Sequence, residues 1–508
     1  MLSGKTILFY LLIICSVTVS CSKNAEPGRE ASADELWSVE FTTVGMYSSA
    51  RVADLTGDGI NDIIIGTGKR EFERADTAVV ALSGATGERL WSVGARDQIY
   101  GSAALLDINE DGVRDVLIGG RSAVLMAVDG KTGAVIWEFF PDSNDTYHRD
   151  HGYYNFNNVQ IIPDQTGDGL EDILVSNGGD DVAPPSNPNR PAGHLMVIDA
   201  GNGDLLARAA MPDGKETYMS PVISKMHESE AELTVIFGTG GETIGGNLYR
   251  TTLNDVMKED LSDAVRLAGS DADKGFIAPA VLADITQDGY YDIIANAVEG
   301  KIMAIDGKEN TLLWEQAFEN MEIHSSLGVG HFNGDGIPDF FTTLIEGATP
   351  LIRTHSMHVM INGQSGEVEY QDRLGYAHMV SPVIADLNHD GLDEALLSIS
   401  FKPEHESGKA GASPGRWQNK LVVFDFNGNG TYDLTRFRQG INLTSTPWAG
   451  DLDGNGKLDI IYGVLTDQAL HSHMNGFSLI RLTPDIEIRS GIKWGSYMGS
   501  GYDGIYKN

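Results

Sequence analysis

The sequence predicts an all-β fold: a single β-propeller of eight four-stranded blades, with metal-binding loops between first and second strands. Three observations predict it. A pattern recurs at roughly blade-length intervals along the chain. Each interval holds four short apolar runs separated by turn residues. Glycine is abundant, at 60 residues in 508, as a chain of many tight turns requires.

The recurring pattern is Asp-x-Asn/Asp/Thr-x-Asp-Gly-x-x-Asp. It places Asp54, Thr56, Asp58 and Asp62 in the first copy, and Asp107, Asn109, Asp111 and Asp115 in the second. Asp164, Thr166, Asp168 and Asp172 form the third, and Asp284, Thr286, Asp288 and Asp292 the fourth. The fifth begins at His331 and continues with Asn333, Asp335 and Asp339. Asp386, Asn388, Asp390 and Glu394 follow, then Asp451, Asp453, Asn455 and Asp459. The seven starts are spaced by 53, 57, 120, 47, 55 and 65 residues. The 120-residue gap spans two periods, and a repeat that keeps its apolar frame but lost the acidic residues sits inside it, from Ser220 to Gly240. That makes eight repeats.

Within a repeat, the loop lies between two apolar runs, such as Ser102–Leu106 and Val116–Gly120. A third run ends in a turn, Asp129 to Gly133, and a fourth carries a tryptophan, Trp137. The fourth strands are predicted to begin near Leu90, Val135, Leu205, Val265, Leu312, Val368 and Leu434. An eighth copy, Leu36–Phe41, precedes the first blade and would complete the last one; the segment from Trp494 to Gly499 is the competing candidate, or packs under the ring.

Side-chain oxygens at positions 1, 3 and 5 of such a loop converge on one centre. A backbone carbonyl near position 7 and an acid at position 9 complete an oxygen shell, and Gly at position 6 allows the sharp turn. That set suits Ca²⁺, which takes six to eight oxygens, better than a soft metal. The competing reading is Asx-turn chemistry without metal. Twenty Asp or Glu fall at the four side-chain positions of the seven loops, which accounts for part of the formal charge of −36. Several structural Ca²⁺ ions are the expected cofactor. A further match, Asp425, Asn427, Asn429 and Asp433, falls between third and fourth strands.

These loops are similar to the FG-GAP or VCBS-type repeats of integrin α-subunit propellers and bacterial surface proteins. The Asp129–Gly133 turn followed by Trp137 resembles quinoprotein-like (PQQ-like) propeller repeats. The resemblance covers about residues 35 to 465. It implies fold and calcium, and a family of adhesion modules, assembly scaffolds and a few enzymes.

The first residues bear on location. Lys5 precedes an apolar run from Thr6 to Ser20, short for a membrane span. It ends at Cys21, which resembles the lipidated cysteine of a bacterial lipoprotein signal. The expected organisation is a signal peptide over 1–20, a polar tether over 21–34 and the propeller with a C-terminal tail over 35–508. The expected location is the bacterial cell envelope, at the outer membrane or surface, with membrane contact through the anchor alone. After Cys21 there is no cysteine, hence no disulfide. The acidic charge excludes nucleic acid as a partner.

Long insertions at 69–76, 141–155, 180–193 and 402–418 all belong to second-to-third loops or connections between blades, and so to one face. Tyr47, Tyr100, Tyr218, Phe276, His324 and His378 precede the first strands and would ring the channel mouth there, as ligand platforms or as packing between blades. His148, His151, Tyr153 and Tyr154 add polar groups. The function expected is a binding or scaffold module for a protein or polysaccharide; a calcium-dependent lyase or glycosidase is the alternative. No catalytic residue is singled out. There is no Gly-x-Ser-x-Gly elbow and no adjacent cysteine pair of the quinoprotein dehydrogenase kind.

Overall fold

The computed structural model describes residues 33–140, 147–180, 182–184, 187–270, 273–347, 354–402, 416–428, 430–466 and 475–507. The signal peptide, the tether and Cys21 lie outside these residues, as do most of 402–418 and Asn429.

Eight antiparallel sheets form the molecule, each ordered first to fourth strand outward. Blade 1 contains Arg51–Ala53, Asp62–Gly68, Ala75–Leu82 and Arg89–Ala95. The first strands of blades 2 to 8 are Ala104–Leu106, Gln160–Ile162, Val222–Ser224, Val281–Ala283, Gly328–Gly330, Val383–Ala385 and Trp448–Gly450. Neighbouring first strands approach one another around the axis. Second and third strands are buried on both faces, because each blade is covered by its neighbours; Asp62–Gly68 and Asp459–Leu465 are buried throughout. Among the described residues, helix is confined to Tyr147–Asp150 and Leu253–Met257, and no helix is long and apolar enough to cross a membrane.

The N-terminal segment closes the ring. Asp34–Phe41 pairs with Phe477–Thr483 as the fourth strand of blade 8, and Phe41 stacks on Phe477 with ring centres 4.5 Å apart. The Trp494 segment is therefore the other element, and it packs inside the ring. The carbonyl of Trp494 accepts from Ile384 N–H (2.8 Å), that of Gly495 from Ala449 N–H (2.7 Å) and that of Gly504 from Leu282 N–H (2.9 Å). The tail thus crosses the axis, capping backbone groups of three first strands that have no sheet neighbour on that side.

One expected boundary moves. The fourth strand of blade 7 is Gly430–Asp433, not a strand from Leu434. The preceding turn is tight enough for Asp425 to pair with Gly430. Asp433 then lies in the strand, 2.7 Å from Lys420 Nζ, and does not fold back over the turn as a ninth loop ligand would.

Two side-chain systems tie blade to blade. The Nε1–H groups of Trp37, Trp91, Trp137 and Trp314 donate to the carbonyls of Gly84, Gly130, Ala200 and Gly363 (2.7–2.9 Å), each in the third-to-fourth turn of the following blade. Each indole packs on a turn glycine with positive φ; a Cβ on Gly133 would stand 2.7 Å from Trp91. The second system encircles the axis. Backbone N–H groups of Ser49, Ser102, Asn158, Ser326, Ser381 and Thr446 each donate to the side-chain oxygen at the matching position of the next blade. The link from Thr446 to Ser49 spans the closing seam. In blade 5 the two residues at this place are Ala278 and Pro279, and neither has a side-chain oxygen.

Candidate functional site

Every acidic loop joins a first strand to a second, and its position-9 acid is the first residue of the second strand: Asp62, Asp115, Asp172, Asp292, Asp339, Glu394 or Asp459. These seven side chains are buried. Asp62 shows why. Its Oδ2 accepts from Leu55 and Thr56 N–H (3.0 and 3.1 Å), and its Oδ1 from Gly84 N–H (3.1 Å) in the third-to-fourth turn. One carboxylate thus fixes its own loop and the turn that receives the neighbouring tryptophan. Asp115 and Asp292 repeat all three bonds. Position 1 also binds backbone: Asp54 accepts from Gly57, Asp58 and Gly59 (2.7, 3.2 and 3.0 Å). Position 5 accepts from position 7, as Asp58 does from Ile60 (2.9 Å).

Position 6 is glycine with φ between 79° and 96° in all seven copies, the left-handed turn the pattern requires. The donor set fits a hard cation: carboxylates, amide oxygens and Thr hydroxyls, without sulfur. Burial adds to the fit. It raises the pKa of Asp339 to about 7 and of Glu394 to about 8, so the ionised forms are disfavoured until a cation compensates them.

Two copies depart from the pattern. His331 does not close its loop; its ring meets Tyr506 of the tail edge-on, 6.0 Å away. In blade 8, Asp451, Asp453 and Asp459 converge, their oxygens within 4.8 Å of one another. Arg481, 1% exposed, stands among them: Nη2 lies 2.7 Å from Asp453 and 2.9 Å from Asp459, and Nη1 donates to Gly84 carbonyl (2.8 Å). Asp451, Asp453 and Asp459 could hold a metal ion, and Arg481 pairs with two of the three.

On the opposite face, the residues expected to ring the mouth divide. Phe276 is 0% exposed and packs with Met219 and Leu248; His378 is 2% exposed and stacks on His358. Both are packing between blades rather than ligand platforms, since neither presents a ring face to solvent. Tyr47, Tyr100, Tyr218 and His324 are half-buried and bonded. Tyr47 OH accepts from Gln98 (2.9 Å). Tyr218 OH accepts from Arg190 Nη1 (3.0 Å), which also meets buried Glu216 (2.9 Å). His324 lies 3.2 Å from Glu322, which pairs with Lys274 (2.6 Å). His148 is buried, and Tyr153 stacks under Arg208. Arg149 joins Asp180 (2.6 Å), linking two insertions across blades. Neither Arg190 nor Glu216 stood out in the sequence; they are 26 residues apart, and spacing carries no sign of the pairing.

The geometry sorts two faces: acidic loops on one, insertions and ion-paired polar groups on the other. Comparison with known proteins agrees at the level of fold. Residues 32–154 match a family model described as outer membrane protein assembly factor BamB, with PQQ-like repeats. No curated protein matches the sequence. Among solved structures, a europium-containing methanol dehydrogenase is similar at TM-score 0.57 and 9% identity, covering 89% of this chain and 93% of that one. The quinohemoprotein alcohol dehydrogenase from Comamonas testosteroni is similar at 0.54 and 12%, covering 89% and 76%. Sqt1 from Saccharomyces cerevisiae is similar at 0.54 and 10%, covering 89% and 100%. At such identities the likeness is one of architecture, an eight-bladed β-propeller.

Proposed function

We propose that the protein is a lipid-anchored scaffold of the bacterial cell envelope that docks a protein partner on its insertion face, with Ca²⁺ ions held in its acidic loops. The observation that carries the docking face is the exposure of three large apolar side chains on it: Phe72 (52%), Val182 (53%) and Phe437 (50%). They sit on connections of blades 1, 3 and 7; Phe437 meets Phe401 edge-on (5.3 Å between ring centres) and Lys420 Nζ (4.7 Å), yet leaves half its surface exposed. The other exposed large apolar residues, such as Leu36, Leu90 and Leu312, lie at the starts of fourth strands on the rim. Separate anchors around a polar, ion-paired centre are the composition of a protein interface. The match of residues 32–154 to an envelope assembly factor supports the same class of role.

The ion sites assigned are the loops of blades 1, 2, 3, 5 and 7, with blade 6 lacking a first carboxylate. Blade 8 adds a sixth, where Asp451, Asp453 and Asp459 converge beside Arg481. Bound Ca²⁺ would supply charge compensation to the loop carboxylates and no chemistry beyond it.

The docking face is tested by placing a photo-crosslinking residue at Phe72, Val182 or Phe437 in the full chain, and at Lys131 on the acidic-loop face as control. In native envelopes the three positions should yield an adduct with the same protein and Lys131 none. Adducts from both faces alike, adducts with polysaccharide alone, or no adduct at the three positions overturns the reading.

A further inference from the structure

Arg51 opens the first strand of blade 1 and is 1% exposed. Its Nε donates to the carbonyl of Ala103 (3.3 Å), and its guanidinium lies 4.0 Å over the ring of Tyr502 in the tail. Nη1 is enclosed and has no acceptor among the described residues. The ionisable groups that act on it are two phenols, Tyr502 and Tyr497, and no carboxylate; burial lowers its pKa to about 10. A buried cation without a counter-ion is costly and is rarely kept without a use.

This guanidinium borders a cavity of about 740 Å³ between the tail and blades 1 to 4. Ser102, Asn158, Gln160 and Tyr502 line it with neutral polar and aromatic groups, and Arg114 stands at its exposed edge. Arg114 makes one hydrogen bond, to Leu105 carbonyl (3.2 Å), and no ion pair among the described residues. Acidic residues outnumber basic ones 72 to 36 in this chain, so most cations should find a carboxylate. Two that face one cavity do not. The carboxylates bordering the cavity are occupied elsewhere: Asp54 by its loop N–H groups, Asp503 by Ile505 N–H (3.0 Å) and Lys507 (3.3 Å). The volume lies in the range of small-molecule sites, ~300–1,000 Å³, and exceeds what an inorganic ion would fill.

We propose that the cavity between the tail and blades 1 to 4 binds a small organic anion, whose carboxylate or phosphate pairs with Arg51 and whose body rests among Tyr502, Asn158 and Gln160. Arg114 at the edge draws the anion in, and the planar guanidinium of Arg51 suits a two-oxygen contact with either group. The site lies on the axis, toward the acidic-loop side, and is independent of the docking face proposed above.

Calorimetric titration of the purified full chain tests it, with galacturonate as the carboxylate probe, glucose 6-phosphate as the phosphate probe, inorganic phosphate as the bare ion and glucose as the neutral body. At least one organic anion should bind, at least tenfold more tightly than glucose and inorganic phosphate, and which one binds names the anionic group. Arg51→Met should weaken that binding tenfold or more. Arg114→Met, an exposed change that leaves the core intact, should weaken it severalfold and keeps the test open if the first variant does not fold. Binding of neither organic anion, equal binding of glucose or inorganic phosphate, or wild-type affinity in the variants overturns the proposal.

Discussion

His358 lies inside blade 6 with both ring nitrogens engaged: Nδ1 is 3.0 Å from the Thr343 hydroxyl, and Nε2 is 3.0 Å from the Leu374 carbonyl. Burial lowers its pKa to about 4. The unfolded chain takes up a proton near pH 6.5, whereas the folded one resists it down to about 4. The contribution of this group is therefore fully present above pH 6.5 and lost as pH falls toward 4. His358→Gln should unfold in urea with a pH dependence smaller by about 2 kcal/mol between pH 7 and pH 5. An unchanged pH dependence would show that the buried ring is not what the acid attacks. At this scale the loop acids were legible, because Asp and Gly at fixed offsets within nine residues state their own geometry. Arg481, Arg51 and Glu216 were not. Each acts through partners on other strands, and no local spacing marks a side chain that reaches across a blade.

At the scale of strands and turns, the tryptophan of each fourth strand and the turn of the next blade could be seen separately in the sequence, but not their junction. The same holds for the ring of Ser, Thr and Asn at the first strands. Those residue types are common at strand ends, and only closure of the ring brings Ser49 to Thr446. Ser381→Ala removes the acceptor of the Ser326 N–H (2.9 Å) and leaves a buried donor unpaired, at a cost of about 1–3 kcal/mol, measurable by denaturant unfolding. Ser381→Thr, which keeps the oxygen, should cost less. The misplaced fourth strand of blade 7 belongs here too: the turn at Asp425 to Gly430 is tight, and hydrophobicity alone put the strand start at Leu434.

At the scale of the whole molecule, the excess of acid has a consequence that reaches every cation-binding blade. Chelation should lower the melting temperature. A loop with free Ca²⁺ a hundredfold above its Kd contributes about 2.7 kcal/mol, so several loops together give a shift no single mutation matches. A melting temperature indifferent to chelator would assign the loops to backbone bonding alone, of the kind Asp54 and Asp62 already make. By itself, the sequence determined the blade count, the strand order within a blade, the seven loops and the face that carries the insertions, because each of these is local and repeated. Only the tertiary structure decided which end closes the ring, that the tail crosses the axis, that a guanidinium sits beside the loop of blade 8, and that two arginines with no carboxylate partner among the described residues share a cavity. Those depend on residues up to several hundred positions apart, brought together when eight blades meet around one axis.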